Sequence, residues 1–70
     1  MKKLLKEYNF SNVDEYYAMI EESRMNGNIQ QSTDQFKAMP KQFRKDLLEA
    51  MYMGEYTQLS KIFSQFLNLI

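Results

Sequence analysis

Any chemistry done by this chain must use carboxylates, amines, guanidinium groups, phenols and hydroxyls, because its 70 residues include no histidine and no cysteine. A Ser or Thr hydroxyl is a weak nucleophile until an adjacent base, most often His, takes its proton. No spacing here sets a Lys or a carboxylate in that role. Disulfides and the usual zinc sites lose their ligands for the same reason. The carboxylates form short groups: Asp14/Glu15, Glu21/Glu22 and Asp46/Glu49. A hard cation wants more oxygen ligands at fixed spacing than any of these supplies. Asp46 and Glu49 are therefore expected to lie on a solvated helix face. A loop that cradles phosphate needs closely spaced glycines, and Gly27 and Gly54 stand far apart. The expectation is a protein that is not an enzyme and uses no cofactor and no metal.

The ionisable residues offer segregated charge instead. Nine Lys/Arg balance nine Asp/Glu, for a net charge of zero. Yet residues 7–22 hold Glu7, Asp14, Glu15, Glu21 and Glu22 and no base, while residues 37–45 hold Lys37, Lys41, Arg44 and Lys45 and no acid. Lys41, Arg44 and Lys45 share a helical face, and together with Lys37 they could grip the phosphates of a nucleotide ligand or of nucleic acid. A turn at Met39-Pro40 ahead of this basic helix also has the outline of a helix-turn-helix. A neutral domain with an acidic first half is unlike a DNA reader, which usually carries a basic charge. In the acidic stretch, Tyr8, Tyr16 and Tyr17 are interleaved with Asp14, Glu15, Glu21 and Glu22. Carboxylates steer an encounter with a basic surface, and aromatic rings supply anchoring contacts. Such a face imitates the phosphates and bases of nucleic acid. The favoured partner is thus another protein, with the nucleotide or nucleic-acid ligand as the alternative.

The elements that must hold these faces are all helical. Apolar residues recur at spacings of three and four, and β-branched residues are scarce. Leu4, Leu5 and Tyr8 mark a short N-terminal segment that breaks at residues 9–12. Ser11 is the expected N-cap of the next helix, with Asp14 and Glu15 in its first turn. Val13, Tyr16, Tyr17 and Ile20 line one face of that helix, and Asn26-Gly27 ends it with a left-handed cap. A polar helix spans Ile29 to Met39. Pro40 opens another that runs to about Met53, and Gly54 repeats the stop. A last helix is expected from Glu55 to about Leu69. Glu22, Gly27, Gln31 and Phe36 recur as Glu49, Gly54, Gln58 and Phe63, an offset of 27 each time (49−22, 54−27, 58−31, 63−36). The fold class is all-α: one domain over residues 1–70, built as a small bundle of two αα-hairpins behind a short helical segment.

A chain this short buries only about 60% of the surface its unfolded form exposes, and it has no staple. Tyr52, Phe63, Phe66, Leu67, Leu69 and Ile70 crowd its C-terminal part. Leu67 and Leu69 lie off the Phe63/Phe66/Ile70 face of a straight helix, so one small core is not expected to cover them all. These residues are the expected oligomer interface, in a dimer or a larger assembly.

Tyr16-Tyr17, Asn26-Gly27-Asn28, Gln31, Phe36, Met39-Pro40-Lys41 and the run Arg44-Lys45-Asp46-Leu47-Leu48 give residues 13–51 a recognisable texture. In these tags the chain resembles small helical accessory proteins of bacteriophages and prophages. The resemblance implies a setting in which small proteins commonly inhibit host machinery or anti-phage defence, as anti-CRISPR proteins do. It assigns no functional residue. The opening Met-Lys-Lys-Leu-Leu has no apolar core of a signal peptide and no run is long enough to span a membrane. A cytoplasmic location in a bacterial host is expected.

Overall fold

Up to residue 54, the helices begin and end where local backbone chemistry tells them to. In the computed structural model, which describes residues 1–69, they are α1 (Lys2–Glu7), α2 (Val13–Met25), α3 (Ile29–Ala38), α4 (Lys41–Tyr52), α5 (Thr57–Ser60) and α6 (Phe63–Leu67). No strand occurs among the described residues, so the molecule is all-α. Helix α1 ends with Asn9 at φ 58°, α2 with Gly27 at φ 84° and α4 with Gly54 at φ 95°. In each case the amide after the left-handed residue reaches back to the third-last helical carbonyl: Phe10 to Leu5 at 2.8 Å, Asn28 to Ser23 at 2.9 Å, Glu55 to Ala50 at 3.0 Å. These are Schellman closures, which satisfy carbonyls that would otherwise be orphaned. Met39 and Pro40 adopt extended backbone between α3 and α4, as the residue before a proline prefers.

The cap of α2 differs from expectation by one residue. Asn12, not Ser11, is the N-cap, and its side-chain oxygen accepts the Glu15 N–H at 3.0 Å. The Glu15 carboxylate in turn accepts the Ser11 N–H at 2.9 Å. Placing the cap at Asn12 lets both side chains close reciprocal bonds, the logic of a capping box.

Helix α2 is the centre of the molecule. It packs on α3 and α5, and α4 packs on α5 and α6. Tyr16, Tyr17, Ile20, Phe36, Met39, Leu47, Leu48, Met51, Leu59, Ile62 and Phe66 form one buried cluster. Phe36 of α3 and Phe66 of α6 stack with centroids 4.3 Å apart, tying the first hairpin to the chain's end. The first αα-hairpin, α2–α3, is as expected. The second is not: the continuous helix expected from Glu55 to about Leu69 is split. Tyr56 sits in the left-handed region at φ 52°, and Ile62 leaves the helical region at φ −119° and ψ 24°. The break turns the chain so that α5 lies against α2 and α4 while α6 carries Phe66 to Phe36. One straight helix cannot reach both. The offset-27 correspondence therefore holds for the Gly27 and Gly54 stops but fails beyond them: Phe36 is fully buried and its counterpart Phe63 only partly. No described helix is long and apolar enough to cross a membrane.

Candidate protein-binding face

Of the aromatic residues expected on the acidic face, two belong to the interior. Tyr16 is fully buried and Tyr17 is 2% exposed. Their spacing with Ile20 puts them on the apolar side of α2, and each phenol buries its ring while finding a polar partner for its hydroxyl. The Tyr16 hydroxyl donates to the Gln35 carbonyl at 2.7 Å, fastening α2 to α3. The Tyr17 hydroxyl donates to the Asp46 carboxylate at 2.9 Å and lies 3.2 Å from the Phe43 carbonyl, fastening α2 to α4. Burial is the main reason the Tyr16 phenol is pushed up to about 12, with Tyr8 and Glu7 adding to it. Burial also raises Tyr17 well above an ordinary phenol, helped by the hydrogen bond to Asp46. Neither ring can meet a partner. Tyr8 stays on the surface, 42% exposed. It stacks on Phe10 and sits edge-on to Tyr16.

The acids are also redistributed. Glu15 is committed to the α2 cap, and Glu21 accepts the Gln58 N–H at 3.1 Å, filling an open donor at the start of α5. Glu21 is half-buried, while Asp14, Glu15 and Glu22 are exposed. Each residue along α2 is rotated by about 100° from the one before it, so Asp14 and Glu21 fall on a different side from Glu15 and Glu22. On the Asp14 side the fold adds carboxylates from distant sequence. A cleft of about 240 Å³ is lined by Asp46, Glu49, Ala50, Met53 and Glu55. Tyr56 joins the two groups. Its ring meets Tyr17 edge-on at 6.0 Å. Its phenol is raised by burial first and then by Asp14, Glu55, Glu21 and Asp46. Four carboxylates from α2, α4 and the α4–α5 turn, Asp14, Glu21, Asp46 and Glu55, thus converge around Tyr56, and Glu49 lines the cleft beside Asp46 and Glu55. Asp46, Glu49, Glu55 and Tyr56 were not legible as part of this face. Only the 17-to-46 and 17-to-56 contacts reveal them. Among the described residues no group of three or more acidic side chains has the geometry to hold a metal ion.

The basic residues divide in the same way. Lys37, Lys41 and Lys45 are exposed. Arg44 is half-buried and folds back, its Nη1 at 3.4 Å from the Lys37 carbonyl. A cation there complements the negative end of α3, so Arg44 is partly a structural residue. Neither the 240 Å³ cleft nor a second one of about 250 Å³ between α2 and α3 is lined by any of these bases.

The expected oligomer interface is dispersed. Phe66 is fully buried and belongs to the core, because the break at Ile62 swings it onto Phe36. Phe63 and Leu69 are half-buried and pack on that core. Tyr52 and Leu67 remain open, 81% and 52% exposed, as does Met53 at 74%. Ile70 lies outside the described residues.

Comparison with known proteins finds no matching family model, no matching curated protein and no matching solved structure.

Proposed function

We propose that this chain is a non-catalytic binding protein that docks its acidic face on a basic surface of another protein. The observation that carries this reading is the convergence of Asp14, Glu21, Asp46 and Glu55 around Tyr56, with Glu49 lining the cleft beside Asp46 and Glu55, in a molecule whose net charge is zero. Clustering charge of one sign against neutralising charge elsewhere costs self-repulsion, and its return is electrostatic steering of a complementary partner. With the resemblance to phage accessory proteins, the reading is of a phage or mobile-element inhibitor acting on a host or anti-phage defence protein inside a bacterial cell, in the manner of anti-CRISPR proteins. The face imitates a phosphate array, and Tyr56 takes the place of the two buried tyrosines as its aromatic component.

The test is affinity capture from bacterial lysate, followed by binding measurements with the purified captured protein. Asp14→Asn, Glu49→Gln and Glu55→Gln are made together. These three are exposed and carry none of the hydrogen bonds that hold Glu15, Glu21 and Asp46 in the fold. The wild-type chain is expected to retain a specific protein that the triple variant loses. Equal capture by both removes the acidic face from the function.

A second reading is supported by the joint exposure of Lys37, Lys41 and Lys45 at the α3–α4 corner: a nucleotide or nucleic-acid ligand held through its phosphates. Titration of single-stranded DNA, duplex DNA and cyclic nucleotides at low salt tests it, and binding that survives Lys41→Ala with Lys45→Ala counts against it. Self-association through Tyr52, Met53 and Leu67 belongs to the same proposal. It requires an apparent mass that rises with concentration in light scattering.

A further inference from the structure

The cleft between α2 and α3 has a different chemistry from the acidic face, and its side chains are poorly used by the fold. It measures about 250 Å³, and its polar lining comes from Glu22, Asn26, Asn28, Gln31 and Gln35, with Tyr8 at its edge. Gln35 is 8% exposed. Its Oε1 accepts the Ser23 hydroxyl at 2.9 Å. Its amide nitrogen has no partner among the described residues, yet it is not sealed from the cleft it lines. Asn28 stands at the N-cap of α3, where such a side chain ordinarily accepts a backbone N–H, but it makes no capping bond. By contrast Gln30, outside the cleft, spends its amide on Asp34 at 2.9 Å. The cleft therefore presents carboxamides with unused bonding capacity: Asn26, Asn28 and Gln31 each offer a donor and an acceptor side by side, and Gln35 offers its amide donor.

A peptide unit also offers one donor and one acceptor, so a carboxamide can pair with both. The spacing suits an extended chain. Gln31 and Gln35 are four residues apart on α3, a rise of about 6 Å. In an extended strand, alternate residues turn the same way and are about 6.6 Å apart. Two successive outward peptide units can thus meet the two glutamines. Glu22 gives the cleft a negative charge, and no Lys or Arg lines it. Phosphates are repelled and a cationic side chain is attracted, with the open Tyr8 ring available to its guanidinium. The volume lies below that of a typical small-molecule pocket, as fits a short stretch of a longer chain.

We infer that the α2–α3 cleft is a second binding site, which takes an extended peptide stretch bearing an arginine. Its carboxamides pair with the peptide backbone, and Glu22 and Tyr8 receive the guanidinium. The inference rests on the reading that the partner is a protein, but it concerns a separate surface from the acidic face.

The probe is N-acetyl-arginine N′-methylamide, titrated into nitrogen-15-labelled protein while the side-chain amide resonances are followed by NMR. Saturable movement of the Asn26, Asn28, Gln31 and Gln35 amide pairs is expected, with none from the corresponding capped glutamate. Gln31→Ala, at an exposed position, should weaken the arginine probe roughly fivefold, as the loss of one hydrogen bond does. Glu22→Gln should make the arginine probe bind no better than capped alanine. Circular dichroism checks that each variant keeps its helices. Three results overturn the site: no saturable movement of those resonances, equal movement with capped glutamate, or tighter binding of adenosine than of the arginine probe. Any of them leaves the acidic face standing if the Asp14/Glu49/Glu55 variant still loses its partner. Loss of that reading alone leaves the probe titration intact.

Discussion

At the scale of single residues, buried hydroxyls decide more than exposed charges. Tyr16 and Tyr17 join α2 to its neighbours through phenols that must stay protonated. The Tyr16 phenol rises from 10 in the unfolded chain to about 12 in the fold. The folded state thus holds its proton more tightly, and the stability linked to it is fully present below pH 10. It is lost as the pH rises through about 12. Thermal melts between pH 9 and pH 12 should show a steep alkaline loss that Tyr16→Phe makes shallower, at a cost of about 1 kcal/mol at neutral pH for the lost hydrogen bond. Ser32 is the opposite case: fully buried, with an Oγ that has no partner. Such a group costs about 1–3 kcal/mol to bury, and Ala is also the better helix former. Ser32→Ala should therefore raise the melting temperature. A lower value would mean that the hydroxyl has a bonding partner in solution.

At the scale of elements, backbone stops matter more than side-chain stripes. Gly54 at φ 95° has nothing within 4 Å of where a Cβ would stand, so only its conformation opposes a side chain. Gly54→Ala should cost about 1 kcal/mol in urea unfolding with an unchanged slope. Gly27, Gly54 and Pro40 were readable because each acts through its own backbone, whatever the rest of the chain does. The split between α5 and α6 was not, since residues 55–69 contain neither Gly nor Pro. There the need to place Leu59 beside α2 and α4, and Phe66 on Phe36, overrides a continuous helical pattern. The same limit hid the site. Asp14 and Glu21 were visible as acids on α2, but nothing local joins them to Asp46, Glu49 and Glu55. Tyr16 and Tyr17 were misplaced for a related reason: a tyrosine suits a wet surface and a buried hydrogen bond equally well, and only the neighbours choose. The break at Ile62 also separates two residues that a straight helix would treat alike. Phe66→Ala should cost about 3–5 kcal/mol, enough to unfold most of a domain this small. Leu67→Ser, at a half-exposed position, should leave the melting temperature nearly unchanged.

At the scale of the whole molecule, the radius of gyration is 11.0 Å, close to the value of about 11 Å expected for a compact chain of this length. Compaction brings the acids of α2, α4 and the α4–α5 turn to one side, while Lys37, Lys41 and Lys45 gather at the α3–α4 corner. A sum of zero charge thus divides into an acidic group around Tyr56 and a basic group at the α3–α4 corner. The most direct test of that assignment is the affinity for the captured partner, measured as a function of salt for the wild-type chain and for the Asp14→Asn/Glu49→Gln/Glu55→Gln variant. If the acidic face docks on a basic surface, wild-type binding weakens steeply with salt, and the variant binds roughly tenfold more weakly at low salt with a flatter dependence. Equal affinities and equal salt slopes for the two proteins would contradict it.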